Sequence, residues 1–236
     1  MKKLLLLLLL ILIGCSEPEP TDIETLNFRN DKYFLKNSDK PFSGEVFKSY
    51  PNGQYELYGS LKNGVPHGLI KSYFDNGQLE KEETFKDGNE DGPYKSYYEN
   101  GQLQDEGTYK NGKLDGPYKW YYENGQLRYE VTLKNGIKDG PYKSYYENGQ
   151  LQREGTYKDG KEDGLWKSYS SNGQLEEERT YKDGKEDGPI KFYYEDGQLQ
   201  REGTKKDGEL NGLWKWYNEN GQLLYEGTYK NGQLID

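Results

Sequence analysis

The chain has 236 residues with a formal net charge of −9, 30 glycines, 24 tyrosines, one cysteine and one histidine. Hydrophobic residues make up only 31%, too few for a large conventional core, yet an aromatic content of 15% argues against a disordered chain. A single Cys and a single His exclude an internal disulfide and any metal site built from several such ligands, and the acidic balance argues against nucleic acid as a partner.

Met1-Lys2-Lys3 precedes an apolar run from Leu4 to Ile13, the pattern of a secretory signal peptide over residues 1–14. The run is shorter than the roughly 20 apolar residues of a membrane-spanning helix. It ends Leu12-Ile13-Gly14-Cys15, which resembles a bacterial lipobox. That resemblance implies that Cys15 becomes the acylated first residue of the mature chain, and several acyl chains on one residue give stable anchoring. Ser16, following the cysteine, is compatible with an outer-membrane destination in a Gram-negative cell. Removing Lys2 and Lys3 leaves 30 of the 32 basic side chains against 41 acidic ones, near −11, so the lipid is expected to be the only membrane contact.

Residues 15–22 then read as the lipid site and an extended Pro/Glu tether. Residues 23–43, with Phe28, Tyr33, Phe34, Leu35, Pro41 and Phe42, read as an N-terminal β cap, which a repeat array needs at its first unit.

From residue 44 the chain is periodic. Glycines at 44, 68, 92, 116, 140, 164, 188 and 212 are 24 residues apart, so eight units fill 44–236 with one residue over. Positions are counted 1–24 from each of these glycines. Positions 9–10 and 20–21 both read Asn-Gly or Asp-Gly, the signature of type I′ hairpin turns, and the runs between them are rich in Tyr, Trp and Thr at strand length. Each unit is therefore predicted to be a β-hairpin, and the whole an all-β, elongated, single-layer antiparallel meander roughly 75 Å long.

A two-residue turn at 9–10 would oppose position 7 to 12, 5 to 14, 4 to 15 and 3 to 16. One face then gathers positions 3, 5, 7, 12, 16 and 18. Its candidate partner-binding aromatics are Tyr94, Tyr118, Trp120, Tyr142, Trp166, Trp214 and Trp216, accompanied by the leucines of position 12. Glycine at position 16 leaves room for the position 3 ring to lie flat. The other face opposes Lys at position 4 to Glu at position 15, from Lys71–Glu82 to Lys215–Glu226, and carries the Tyr of position 6. The 30 glycines are then all assigned: eight each at positions 1, 10 and 21, five at position 16, and Gly14.

Glu-Gly-Thr-Tyr-Lys-Asn-Gly-Lys-Leu-Asp-Gly at 106–116 resembles the MORN repeat, as do Glu154 to Gly164 and Glu226 to Gly232. The coupled pattern Gly-x-Trp/Tyr-x-x-Tyr-x-x-Asn-Gly-Gln-Leu resembles the bacterial variant of that repeat, also found in the YwqK-type antitoxin family. The resemblance implies a hairpin sheet used for protein–protein or membrane association. Unit one departs from the pattern, with its Tyr at position 7, Tyr55 for Leu and Tyr58 for Glu.

No nucleophile–base pair or phosphate-binding glycine loop is present, and His67 reads as a turn residue. The expectation is a non-enzymatic, lipid-anchored envelope protein without cofactor or metal, binding a protein partner. Two other readings stand beside it: an antitoxin or immunity protein, implied by the family resemblance, and a glycan- or choline-binding repeat protein, suggested by tandem aromatic hairpins.

Overall fold

The computed structural model describes residues 18–236, so the signal segment, Cys15 and the start of the tether lie outside the described residues. Eight hairpins run in chain order, from Gly44–Ser49 with Tyr55–Lys62 to Gly212–Tyr217 with Leu223–Lys230. Each strand pairs antiparallel with the next, within a unit and between units, so the eight hairpins form one continuous meander.

The two turn signals give different turns. At positions 20–21 both residues have positive φ, as at Asn63 (52°) and Gly64 (80°), which is the type I′ geometry that Asn-Gly favours. At positions 9–10 only the glycine does, as at Gly101 (83°). There the Gly101 N–H donates to the Tyr98 carbonyl and the Tyr98 N–H to the Gln102 carbonyl, closing a four-residue turn. The Asn100 side chain accepts from the Gln102 N–H at 2.9 Å, so the asparagine works through its side chain and not through left-handed backbone.

That wider turn changes the register beside it. Pairs 5–14, 4–15 and 3–16 are as the sequence implies: Ser96 opposes Asp105, Lys95 opposes Glu106 and Tyr94 opposes Gly107. Leu103, however, opposes Tyr97 at position 6, and not Tyr98 at position 7, because a bulge lies between Leu103 and Asp105. Residues directly opposite share a face, so the extra residue transfers the position 12 leucines from the aromatic face to the face of Lys, Glu and the position 6 Tyr.

The cap begins earlier than expected. β1 (Thr21–Asp22) lies within the stretch read as tether and pairs parallel with β4 (Gly44–Ser49), covering the first edge of an otherwise antiparallel sheet. A single 3₁₀ turn at Ile23–Thr25 follows, its start held by Asp22 accepting from the Glu24 N–H at 2.9 Å. β2 (Asn27–Arg29) and β3 (Lys32–Phe34) form a separate hairpin. Leu26, Val46 and Leu61 make a small buried cluster, against which Ile23, Tyr33 and Phe42 pack.

Both long edges of the meander are laced between units. On one side the position 21 glycine N–H donates to the position 23 carbonyl of the preceding unit, as from Gly136 to Leu114. On the other the position 7 Tyr hydroxyl donates to the position 6 carbonyl of the next unit, at Tyr50–Tyr73, Tyr98–Tyr121, Tyr122–Tyr145, Tyr146–Tyr169 and Tyr194–Tyr217.

Candidate functional site

The aromatic face is a broken stripe, and the breaks follow from the residues at positions 5, 14, 16 and 18. Trp120 opposes Asp105 on one side and Tyr129 on the other, and Tyr129 opposes Ser144. Ring contacts then run from Trp120 to Tyr129 (6.0 Å, stacked), from Tyr129 to Tyr142 (6.2 Å) and from Tyr142 to Trp166 (5.6 Å), with Tyr118 touching Tyr129 at 6.1 Å. Four of the seven candidate aromatics, Tyr118, Trp120, Tyr142 and Trp166, thus form one cluster through Tyr129. Tyr94 lies apart, edge-on to Tyr109 at 5.4 Å. Trp214 and Trp216 form a second cluster with Tyr225 and Tyr229.

Exposure divides the seven. Trp166 is 1% exposed and Trp214 2%, so their surfaces face the protein. Each indole lies across the position 16 glycine of the preceding unit, Gly155 and Gly203, where an added Cβ would overlap the ring. The Arg153 guanidinium covers Trp166 at 4.3 Å from the ring, and the Trp214 indole N–H donates to the Thr204 carbonyl at 3.0 Å. Tyr94, Tyr118, Trp120, Tyr142 and Trp216 are half-buried and keep ring surface open. Burial raises the phenol pKa of Tyr94 and Tyr118 well above the usual range, so both stay neutral donors.

Sequence reasoning missed the polar members of this face. Asp105 is 5% exposed, accepts from the Ser96 hydroxyl at 2.7 Å through Oδ2, and leaves Oδ1 without a hydrogen bond. Arg179 donates to Glu177 (2.7 Å) and to Glu186, which also accepts from Lys205. Burial opposes charge on Glu186, but the Lys205 and Arg179 hydrogen bonds outweigh it and hold its carboxyl below the usual range. Arg201 stacks on Phe192 at 3.9 Å. The available signal was that positions 14 and 16 vary in type inside an otherwise constant repeat.

The charged face is more regular. From unit two to unit seven, the position 15 Glu lies between the position 4 Lys of its own strand pair and that of the next unit; Glu106, for example, opposes Lys95 and Lys119. All seven predicted Lys–Glu pairs are opposite in register. Lys71–Glu82 at 3.0 Å and Lys167–Glu178 at 3.2 Å are close ion pairs, while Lys143–Glu154 is at 4.0 Å. The position 6 Tyr hydroxyl donates to the position 15 Glu of the preceding unit at Tyr97, Tyr121, Tyr145, Tyr169, Tyr193 and Tyr217. These tyrosines therefore serve the ladder.

His67 Nδ1 accepts from the Asp87 N–H at 3.4 Å, the place taken by Asp115 toward the Asn135 N–H at 3.0 Å, so it is a turn residue. Among the described residues no group of three or more His, Cys, Asp or Glu side chains is placed to hold a metal ion.

Comparison with known proteins fits this periodicity. The family model described as MORN repeat variant matches seven times, at 66–87, 90–111, 114–135, 138–159, 162–183, 186–207 and 210–231. Each match starts two residues after the glycine of one type I′ turn, ends on the first residue of the next, and holds the wider turn at its centre. The first hairpin, with the departures of unit one, precedes the matched residues although its backbone pairs in the same way. No curated protein matches the chain. The seven matches span most of the sheet, and the chain belongs to the MORN repeat variant family.

Proposed function

We propose that this chain is a non-enzymatic, lipid-anchored envelope protein whose repeat sheet is a scaffold for binding another protein. The observation that carries the reading is the division of labour between the two faces. On the charged face, six position 6 Tyr hydroxyls are bonded to position 15 Glu, and every such Glu is opposed by a position 4 Lys, three of them within 4.0 Å. On the aromatic face, Tyr94, Tyr118, Trp120, Tyr142 and Trp216 retain open ring surface on rigid strands. Half-buried Tyr and Trp on a fixed backbone lose little entropy when covered, which is why such residues anchor interfaces. The basic start, the apolar run from Leu4 to Ile13 and Cys15 support anchoring through an acylated cysteine.

The test is crosslinked capture from intact cells with the full-length chain, beside a Trp120→Ala/Tyr142→Ala double variant. A defined protein partner, reduced at least about tenfold by the double variant, is the expected result. Equal recovery of every protein by the two chains contradicts the reading.

A further inference from the structure

We infer that a cleft between units two and three binds a protonated primary amine, presented by a lysine side chain or a free aliphatic diamine. This deepens the scaffold reading by giving the chemistry of one contact. The cleft is walled by Phe74, Tyr94 and Tyr98, has Ser96 and Gln104 in its lining, and is flanked by Glu80, Glu99 and Glu123. None of these three carboxylates is held in an ion pair or side-chain hydrogen bond among the described residues. The one cation lining the cleft, Lys81, lies 3.5 Å from Glu83.

Two independent features mark this place as unlike its repeats. First, Phe74 occupies position 7, so the hydroxyl that in five other units reaches the next unit's carbonyl is missing and the lacing is open there. Second, Asp105, itself outside the lining, is hydrogen-bonded to Ser96 of the lining. It is 95% buried, its Oδ2 takes the Ser96 hydroxyl at 2.7 Å, and its Oδ1 lacks a close hydrogen bond, although the Tyr94 phenol interacts with the carboxylate. A buried carboxylate with so few hydrogen bonds is costly by itself, and its field is weakly screened on the protein side. A cation seated over Ser96 would compensate it. At the other break in the lacing, Ser170, the position equivalent to Asp105 is Arg201, so the acidic combination occurs once.

The lining narrows the class of cation. Gln104 Oε1 is an acceptor 3.1 Å from Ser96 Oγ, and the serine oxygen, its proton directed to Asp105, keeps lone pairs; both suit an ammonium with N–H groups to donate and give a quaternary ammonium nothing to bond. The ring walls suit the aliphatic stem and add cation–π attraction.

The test is calorimetric titration of the full-length chain with 1,5-diaminopentane and, separately, with a short neutral peptide carrying one central lysine. Saturable one-to-one binding of either ligand is expected, with none for 1,5-pentanediol. Tighter binding of the peptide identifies a protein source, and binding of the diamine alone identifies a free amine. Asp105→Asn, nearly isosteric, should weaken binding at least about tenfold, and Phe74→Tyr, which closes the lacing, should also weaken it. Glu147→Gln, at the place in unit five that Glu99 takes in unit three, should leave it unchanged. Absence of saturable binding to both amines, or unchanged affinity in both Asp105→Asn and Phe74→Tyr, overturns the assignment. The capture variant above changes Trp120 and Tyr142, neither of which lines the cleft, so either result can fail without the other.

Discussion

Gly155 and Gly203 show how far one hydrogen atom can decide packing. Their backbones need no left-handed φ, and the space a Cβ would take is filled by the indoles of Trp166 and Trp214. Gly155→Ala must therefore push a 1%-exposed indole off its seat, and we expect a loss of about 1–3 kcal/mol by chemical denaturation. The position 6 tyrosines make a second residue-scale prediction. Tyr121, Tyr169 and Tyr193 are each pushed up to about 12, by burial first and then by the glutamate each hydrogen-bonds. In the unfolded chain they would ionise at about 10. The folded state holds the proton to higher pH, so this stability is complete below about 10 and is lost as pH rises from about 10 to about 12. Thermal melts followed by tyrosinate absorbance should show Tm falling through that window, more shallowly for Tyr169→Phe; a flat Tm would contradict the ladder.

At the scale of the element, the repeat is held by bonds that cross from one hairpin to the next. Tyr146→Phe removes a 2.8 Å hydrogen bond to the Tyr169 carbonyl and should cost about 1 kcal/mol. Glu186→Gln should cost more, about 1.5–3 kcal/mol, because it strips a partly buried carboxylate from both Arg179 and Lys205. Glu154→Gln, whose Lys143 is half exposed at 4.0 Å, should cost less than about 1 kcal/mol in the same denaturation series. These contrasts also mark what could be read from sequence. The period of 24 and the type I′ turn at 20–21 follow from local chemistry repeated eight times, and the Lys–Glu opposition from a pair repeated in seven of the eight units. The wider turn at 9–10 did not, because Asn-Gly suits both turns and only the Asn side-chain bond to the Gln N–H separates them. One bulge then moved every position 12 leucine to the other face. The Arg179–Glu186–Lys205 network and buried Asp105 were not legible either, since they join residues that vary between units.

For the whole molecule, stability is a chain of neighbour contacts, closed at one end by the cap through β1 and the Leu26, Val46 and Leu61 cluster. No deep core is needed, which reconciles 31% hydrophobic content with a folded sheet. Anchoring belongs to this scale too: Cys15→Ala should move the protein from the membrane fraction to the soluble fraction, and unchanged fractionation would contradict lipidation at that residue. The functional claim is that one face is occupied by the ladder and the other is open to a partner. A photoreactive residue placed in the full-length chain at Trp120 or Tyr142, and in parallel at Tyr145 or Tyr169, tests it in intact cells. One common crosslinked protein from Trp120 and Tyr142, and none from Tyr145 and Tyr169, is the expected result. Adducts from the charged face alone, or from neither face, would contradict it.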